Sequence, residues 1–148
     1  MKTVTQEKPI CVVGLEVRTS NETAFTDIPA HWARFYQSGI LNQIASKTSG
    51  TVYAVYTNFE NPGKNNKGVY SFILGAEVPD AKHIPTGLVS AVIPPSKRRV
   101  FEVEKGQPQK VGEKWQEIWA LGDQGKTFVC DFERYLESGE IEIHVGIA

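Results

Sequence analysis

The chain has 148 residues, 41% of them hydrophobic, which suffices for one domain, or two intimately packed halves, with a sizeable core. Sixteen Lys and Arg against seventeen Asp and Glu give a net charge of -1, so the electrostatic footprint of a nucleic-acid-binding protein is missing. Met1 to Pro9 lacks the apolar run of a signal peptide, and no segment reaches the length of a spanning helix, so a cytoplasmic protein without a membrane partner is expected.

Ile10 to Thr19 is rich in β-branched residues and puts Cys11, Val13, Leu15 and Val17 on one side, which predicts a strand. Asp27 with Pro29 marks the start of a helix reaching to about Ser46, where Trp32, Phe35 and Tyr36 fall at i, i+3 and i+4 as one aromatic stripe. Gly39 is its weak point. Thr51 to Thr57 and Gly68 to Val78 are predicted strands, joined by the turn-rich stretch Asn61 to Lys67. On the first of them Tyr53 and Val55 share one side and Val52, Ala54 and Tyr56 the other, so only one tyrosine can face a given side. Alternation leaves open which. Gly87 to Ile93 adds a further strand that stops at Pro94 and Pro95.

The remainder repeats this order, with Arg98 to Glu104 as a strand, Pro108 to Leu121 as a helix stopped by Gly122, then Phe128 to Tyr135 and Glu140 to Ile147 as strands. Trp115, Ile118 and Trp119 reproduce the spacing of Trp32, Phe35 and Tyr36, as an internal duplication of about 10–80 in about 98–148 would produce. Ile141, Ile143, Val145 and Ile147 alternate with Glu140, Glu142, His144 and Gly146, one packed side and one polar. The expected fold class is α+β: a single domain, 1–148, in which duplicated strand-helix-strand-strand units form a curved antiparallel sheet with two helices packed on it. A ligand cleft is expected between the halves.

In Thr127 to Tyr135, strand alternation separates Val129, Asp131, Glu133 and Tyr135 from Phe128, Cys130, Phe132 and Arg134. The second set reads as core. The first places carboxylates beside an aromatic ring, which suits an organic cation, although an acid on a wet sheet face gives the same pattern. Asp131 and Glu133 would lie about 6.5–7 Å apart and project side by side, whereas an acid and a base that flank a bond converge on it from two sides. The plain amphipathic reading makes Trp115 and Trp119 core residues. Lys97-Arg98-Arg99 reads as a solvated strand entrance. Cys11 and Cys130 read as reduced core residues, and His31, His83 and His144 fall on different elements without metal-ligand spacing. Gly122 to Lys126 lacks the full pattern of a phosphate loop, so neither metal nor cofactor is implied.

The stretches Gly14 to Arg18, His31 to Tyr36, Val52 to Thr57, Gly75 to Val78, Lys114 to Trp119 and Asp131 to Tyr135, in this order and spacing, resemble the effector-binding domains of bacterial multidrug-responsive transcription regulators, the gyrase-inhibitor-like family. The nearest likeness is to stand-alone versions, including one encoded on an integron gene cassette, that bind cationic drug-like molecules. The resemblance implies that Glu133 lies in an aromatic pocket and meets the ligand's positive charge. It implies walls from Trp32, Tyr36, Tyr53, Tyr56 and Phe101; alternation adds Tyr135 beside Glu133, and the internal repeat adds Trp115 and Trp119. The implied partner is a bulky, amphipathic cationic aromatic molecule, with no catalytic residue and no cofactor. Family regulators carry a DNA-binding domain ahead of this module, whereas the first expected strand here begins at Ile10, so direct transcription control by this chain alone is not expected; the near-neutral charge argues against direct nucleic-acid contact, and a regulatory protein is the alternative partner. Other members are hydrolases that open strained cyclopropane rings of toxic natural products, a reading in which Glu133 would position or deprotonate water.

Overall fold

The computed structural model describes residues Met1–Ala148. Its strands are β1 (Lys2–Gln6), β2 (Ile10–Ser20), β3 (Val52–Thr57), β4 (Val69–Val78), β5 (Val89–Ile93), β6 (Ser96–Val103), β7 (Asp131–Tyr135) and β8 (Ile141–Ile147). The helices are α1 (Ala24–Gln37), the single turn α2 (Ile40–Gln43) and α3 (Val111–Ala120), the last entered through a 3-10 turn at Pro108–Lys110. No helix is long and apolar enough to cross a membrane.

All strands join one antiparallel sheet in the order β1-β6-β8-β7-β3-β4-β2-β5. The order is symmetric about the β7–β3 pair, where Tyr56 faces Asp131 and Ala54 faces Glu133. Each half also lends its neighbour an edge: β1, which leads into β2, pairs with β6, and β5, which leads into β6, pairs with β2.

The helices cover one face of the sheet. Phe35 of α1 and Ile40 of α2 pack on Val13, Ala54, Phe72 and Leu74 in one half, and Ile118 of α3 packs on Phe101, Ile141 and Ile143 in the other. The opposite face has no helix, yet Val12, Val55, Ile73, Ile93 and Phe132 are buried there. That burial requires the sheet to curl onto itself. Gly14 and Gly75 stand opposite each other in β2 and β4, where a Cβ on Gly14 would lie 2.3 Å from the Leu74 carbonyl oxygen and one on Gly75 2.0 Å from that of Val13. The absence of two side chains therefore permits the close strand approach that the curl needs.

Arg98 corrects the expectation of a solvated basic run, because it is 0% exposed inside this curl. Its guanidinium donates to the Cys130 carbonyl, to the Pro94 carbonyl at 3.0 Å and to Gln6 Oε1 at 3.0 Å, and stands 5.3 Å from the Phe132 ring centroid. Acceptors from three separate segments, at the end of β1, between β5 and β6 and just before β7, replace water, a requirement that composition along one strand does not reveal.

One strand is additional to expectation, and several boundaries differ from it. β1 has a single branched aliphatic residue, Val4, and forms by backbone pairing with β6 rather than by burying a face. α1 begins at Ala24 instead of Asp27, because the Thr19 and Thr23 hydroxyls both donate to Asp27 Oδ2, at 2.8 and 3.0 Å, and secure the turn ahead of it. The helix ends at Gln37 because Gly39, at φ 61°, takes the left-handed conformation that closes a helix. Phe128 has φ 51° and cannot continue a strand, so β7 starts at Asp131. His31 fastens α1 to the sheet: it is buried, its Nε2–H donates to the Leu15 carbonyl at 2.7 Å, and its Nδ1 accepts from Arg34 at 3.1 Å. Burial lowers its pKa, and this pair of bonds suits the neutral ring.

Candidate functional site

Between α1 and α3, above the β7–β3 junction, lies a cleft of about 580 Å³. Its floor is Tyr56 of β3 with Asp131, Glu133 and Tyr135 of β7, which alternation directs to the helix-bearing side. Ile28 and Trp32 of α1 form one wall and Trp115 and Trp119 of α3 the other. The two helices present equivalent residues: Trp32 and Trp115 reach the cleft, while Phe35 and Ile118, three positions on, enter the core.

Glu133 is the centre of this arrangement. It is 2% exposed, and its Oε2 accepts from the Tyr56 hydroxyl at 2.6 Å and the Trp115 indole N–H at 2.6 Å, while Oε1 accepts from the Tyr135 hydroxyl at 2.5 Å. Three donors suit the ionised acid. No cationic side chain pairs with it, for the ion pairs are Lys110–Glu104, Lys114–Glu117, Arg134–Glu142 and His144–Glu142. Burial raises the pKa of Glu133, and the three hydrogen bonds hold it down against that effect. The phenols of Tyr56 and Tyr135 are pushed upward, first by their own burial and then by the adjacent carboxylate, so both stay protonated donors. Neighbouring rings fix the donors, with Trp32 edge-on to Tyr135 at 5.0 Å and Trp115 edge-on to Tyr56 at 5.3 Å.

Asp131 is a second buried acid on the floor, and its Oδ1 accepts the Gly146 N–H at 2.8 Å. Burial pushes its carboxyl up to about 6 from an ordinary 3.8, offset in part by the Gly146 bond, Arg98 and Lys126. The raised folded-state value means that the unfolded chain loses its proton first as pH rises. Stability therefore falls between about pH 4 and pH 6 and then stays reduced. Asp131→Asn keeps an acceptor for Gly146 and removes the charge. It is expected to stabilise the empty protein by roughly 1–3 kcal/mol at neutral pH and to leave stability unchanged below about pH 4. Thermal unfolding of both proteins across this range checks it; a pH-independent difference would contradict it.

Of the residues singled out from sequence, Trp32, Tyr56, Trp115, Trp119, Glu133 and Tyr135 meet at the cleft, whereas Tyr53, Tyr36 and Phe101 stand away from it. Tyr53 points to the inside of the curl, 5.7 Å from the Phe132 ring, because its parity is opposite to that of Tyr56. Phe101 lies beneath α3, since β8 and β7 separate β6 from the junction. Tyr36 is 62% exposed and stacks on Trp32 at 5.8 Å without lining the cleft. Phe25, Ile28, Phe59, Tyr70 and Val111 also line it and were not foreseen. Tyr70 shares the parity of Phe72, the partner of Tyr56, so pairing β3 with β4 as a hairpin would have found it.

The family Cass2, described as integron-associated effector binding protein, matches residues 3–147. Among solved structures, the chain is similar to the integron cassette protein VCH_CASS2 from the mobile metagenome of Vibrio cholerae, with TM-score 0.77 and 21% identity over 99% of this chain and 95% of that one. It is similar to SAV2435 bound to tetraphenylphosphonium, with TM-score 0.79 and 18% identity over 99% and 93%. A protein from Staphylococcus aureus MU50 with a proposed role in bacterial transcription regulation gives TM-score 0.76 and 17% identity over 99% and 96%. These structural likenesses establish a common fold. No curated protein matches the chain.

Proposed function

The chain belongs to the family of integron-associated effector binding proteins, and on that premise we propose that the cleft between α1 and α3 is its effector site and takes bulky, amphipathic organic cations. The observation that carries this reading is Glu133, a buried carboxylate held by three donors, surrounded by rings and lacking a counter-charge. An arriving cation supplies that charge and restores the ionised form that burial disfavours. Ring faces attract the same ligand, and they do so best for a diffuse, weakly hydrated charge. A metal ion would instead need several oxygens, and no group of three or more His, Cys, Asp or Glu side chains is arranged to hold one.

The binding of tetraphenylphosphonium by the structurally similar SAV2435 makes that ion a suitable probe. Thermal unfolding should be followed with tetraphenylphosphonium, with tetraphenylborate as an anion of the same shape, and with neutral triphenylphosphine oxide. At about a hundred times its dissociation constant the cation should stabilise the fold by about 2.7 kcal/mol, seen as several degrees, and the other two should not. Equal stabilisation by the neutral compound would leave an apolar cleft without charge selection. Cation binding should also weaken as pH falls through the raised pKa of Glu133, because protonation removes the charge that the ligand meets.

A further inference from the structure

The cleft holds more negative charge than one organic cation neutralises. Two of its lining residues, Asp131 and Glu133, are acids and none is Lys, Arg or His. Asp131 is 8% exposed and uses only Oδ1, bonded to the Gly146 N–H, while Oδ2 has no hydrogen-bond partner in the protein. A neutral amide oxygen would cap that N–H as well, so this hydrogen bond does not require the charge, and burial disfavours it despite the nearby Arg98 and Lys126. The basic groups acting on Asp131 are Arg98 from β6 and Lys126 from the segment before β7, and neither forms an ion pair with it. Arg98 is bound to Cys130, Pro94 and Gln6, and Lys126 donates to the Ile118 carbonyl. Across the junction Asp131 faces Tyr56, and along its own strand Glu133.

We propose that the cleft selects dicationic aromatic ligands, with one positive centre at Glu133 and the second at Asp131, spaced like alternate residues of a strand, about 7 Å. This rests on the reading of the cleft as a cation site and adds the number and spacing of the charges. A dication leaves the two acids balanced, whereas a monocation leaves one buried charge unmatched.

Methyl viologen, a dication with its ring nitrogens about as far apart as alternate strand residues, and 1-methyl-4-(4-methylphenyl)pyridinium, its monocationic isostere, make the matched pair. Calorimetric titration of the full chain near pH 8 should give the dication a preference of about tenfold or more. Asp131→Asn should abolish the preference by weakening the dication far more than the monocation. In the unmodified protein the ratio of the two affinities should collapse as pH falls through about 6, a readout that does not depend on the variant folding. Loss of Glu133 charge affects both ligands, so the ratio isolates Asp131. Monocation binding without a dication preference, or a preference that survives Asp131→Asn or acidification, would overturn this inference alone. Failure of both ligands to bind would overturn the cation reading and this inference together.

Discussion

Glu133→Gln is expected to weaken tetraphenylphosphonium binding by about 2–5 kcal/mol, roughly thirtyfold to several thousandfold, the range for removing one member of a desolvated charge pair. The fold should survive, because the hydrogen-bond pattern around Glu133 accommodates an amide. Trp115 N–H can only donate, so the amide carbonyl must take the Oε2 position, where Tyr56 and Trp115 both donate. The amide NH2 then falls at the Oε1 position and donates to the Tyr135 hydroxyl, which accepts as readily as it donates. The substitution thus removes charge with little change of shape. Residual binding should also lose the pH dependence that titration of Glu133 gives the parent. Calorimetry on both proteins, with circular dichroism as a control for folding, measures the effect. Equal affinities would remove Glu133 from the site.

Gly75→Ala should destabilise the protein by about 3–5 kcal/mol, a size reached by few single substitutions. The new Cβ would meet the Val13 carbonyl oxygen at 2.0 Å and the Gly14 Cα at 2.7 Å, both backbone atoms of a paired strand. No rotamer relieves such a contact, so β2 and β4 must separate and the curl that buries Val12, Ile73 and Phe132 must open. The same substitution at Gly112, in the first turn of α3, meets nothing within 4 Å and should be neutral or stabilise by up to about 1 kcal/mol through helix propensity. Urea unfolding of the two variants separates these outcomes, and similar midpoints would show that the glycine pair does not govern the curl.

Much of the architecture was legible along the chain because its signals are local. The period-two pattern of Ile141 to Ile147 and the triplets Trp32-Phe35-Tyr36 and Trp115-Ile118-Trp119 each report one face of one element. They located the principal strands and both long helices, and the recurrence of the triplets disclosed the duplicated order that the sheet displays as symmetry about β7 and β3. β1 stayed hidden because an exposed edge strand carries almost no hydrophobic pattern; its cause is the unpaired edge of β6, far away in sequence.

The cleft divides in the same way. Alternation alone put Asp131, Glu133 and Tyr135 on one side of their strand and set Tyr53 against Tyr56. It could not say which side would receive the helices, because parity has no sign until the connections fold over the sheet. Tertiary structure supplied that sign through α1 and α3, and so directed Tyr56 to the cleft floor and Tyr53 into the curl. Strand order left Phe101 two strands from the junction, and curvature hid Arg98, whose bonds to Gln6 and Cys130 join segments far apart along the chain. The amino-acid sequence by itself determined the elements and the two sides of each, since those follow from local backbone geometry. Only the tertiary structure decided which sides meet, because that depends on long-range pairing and on the carbonyls, rings and charges it brings within reach of one another.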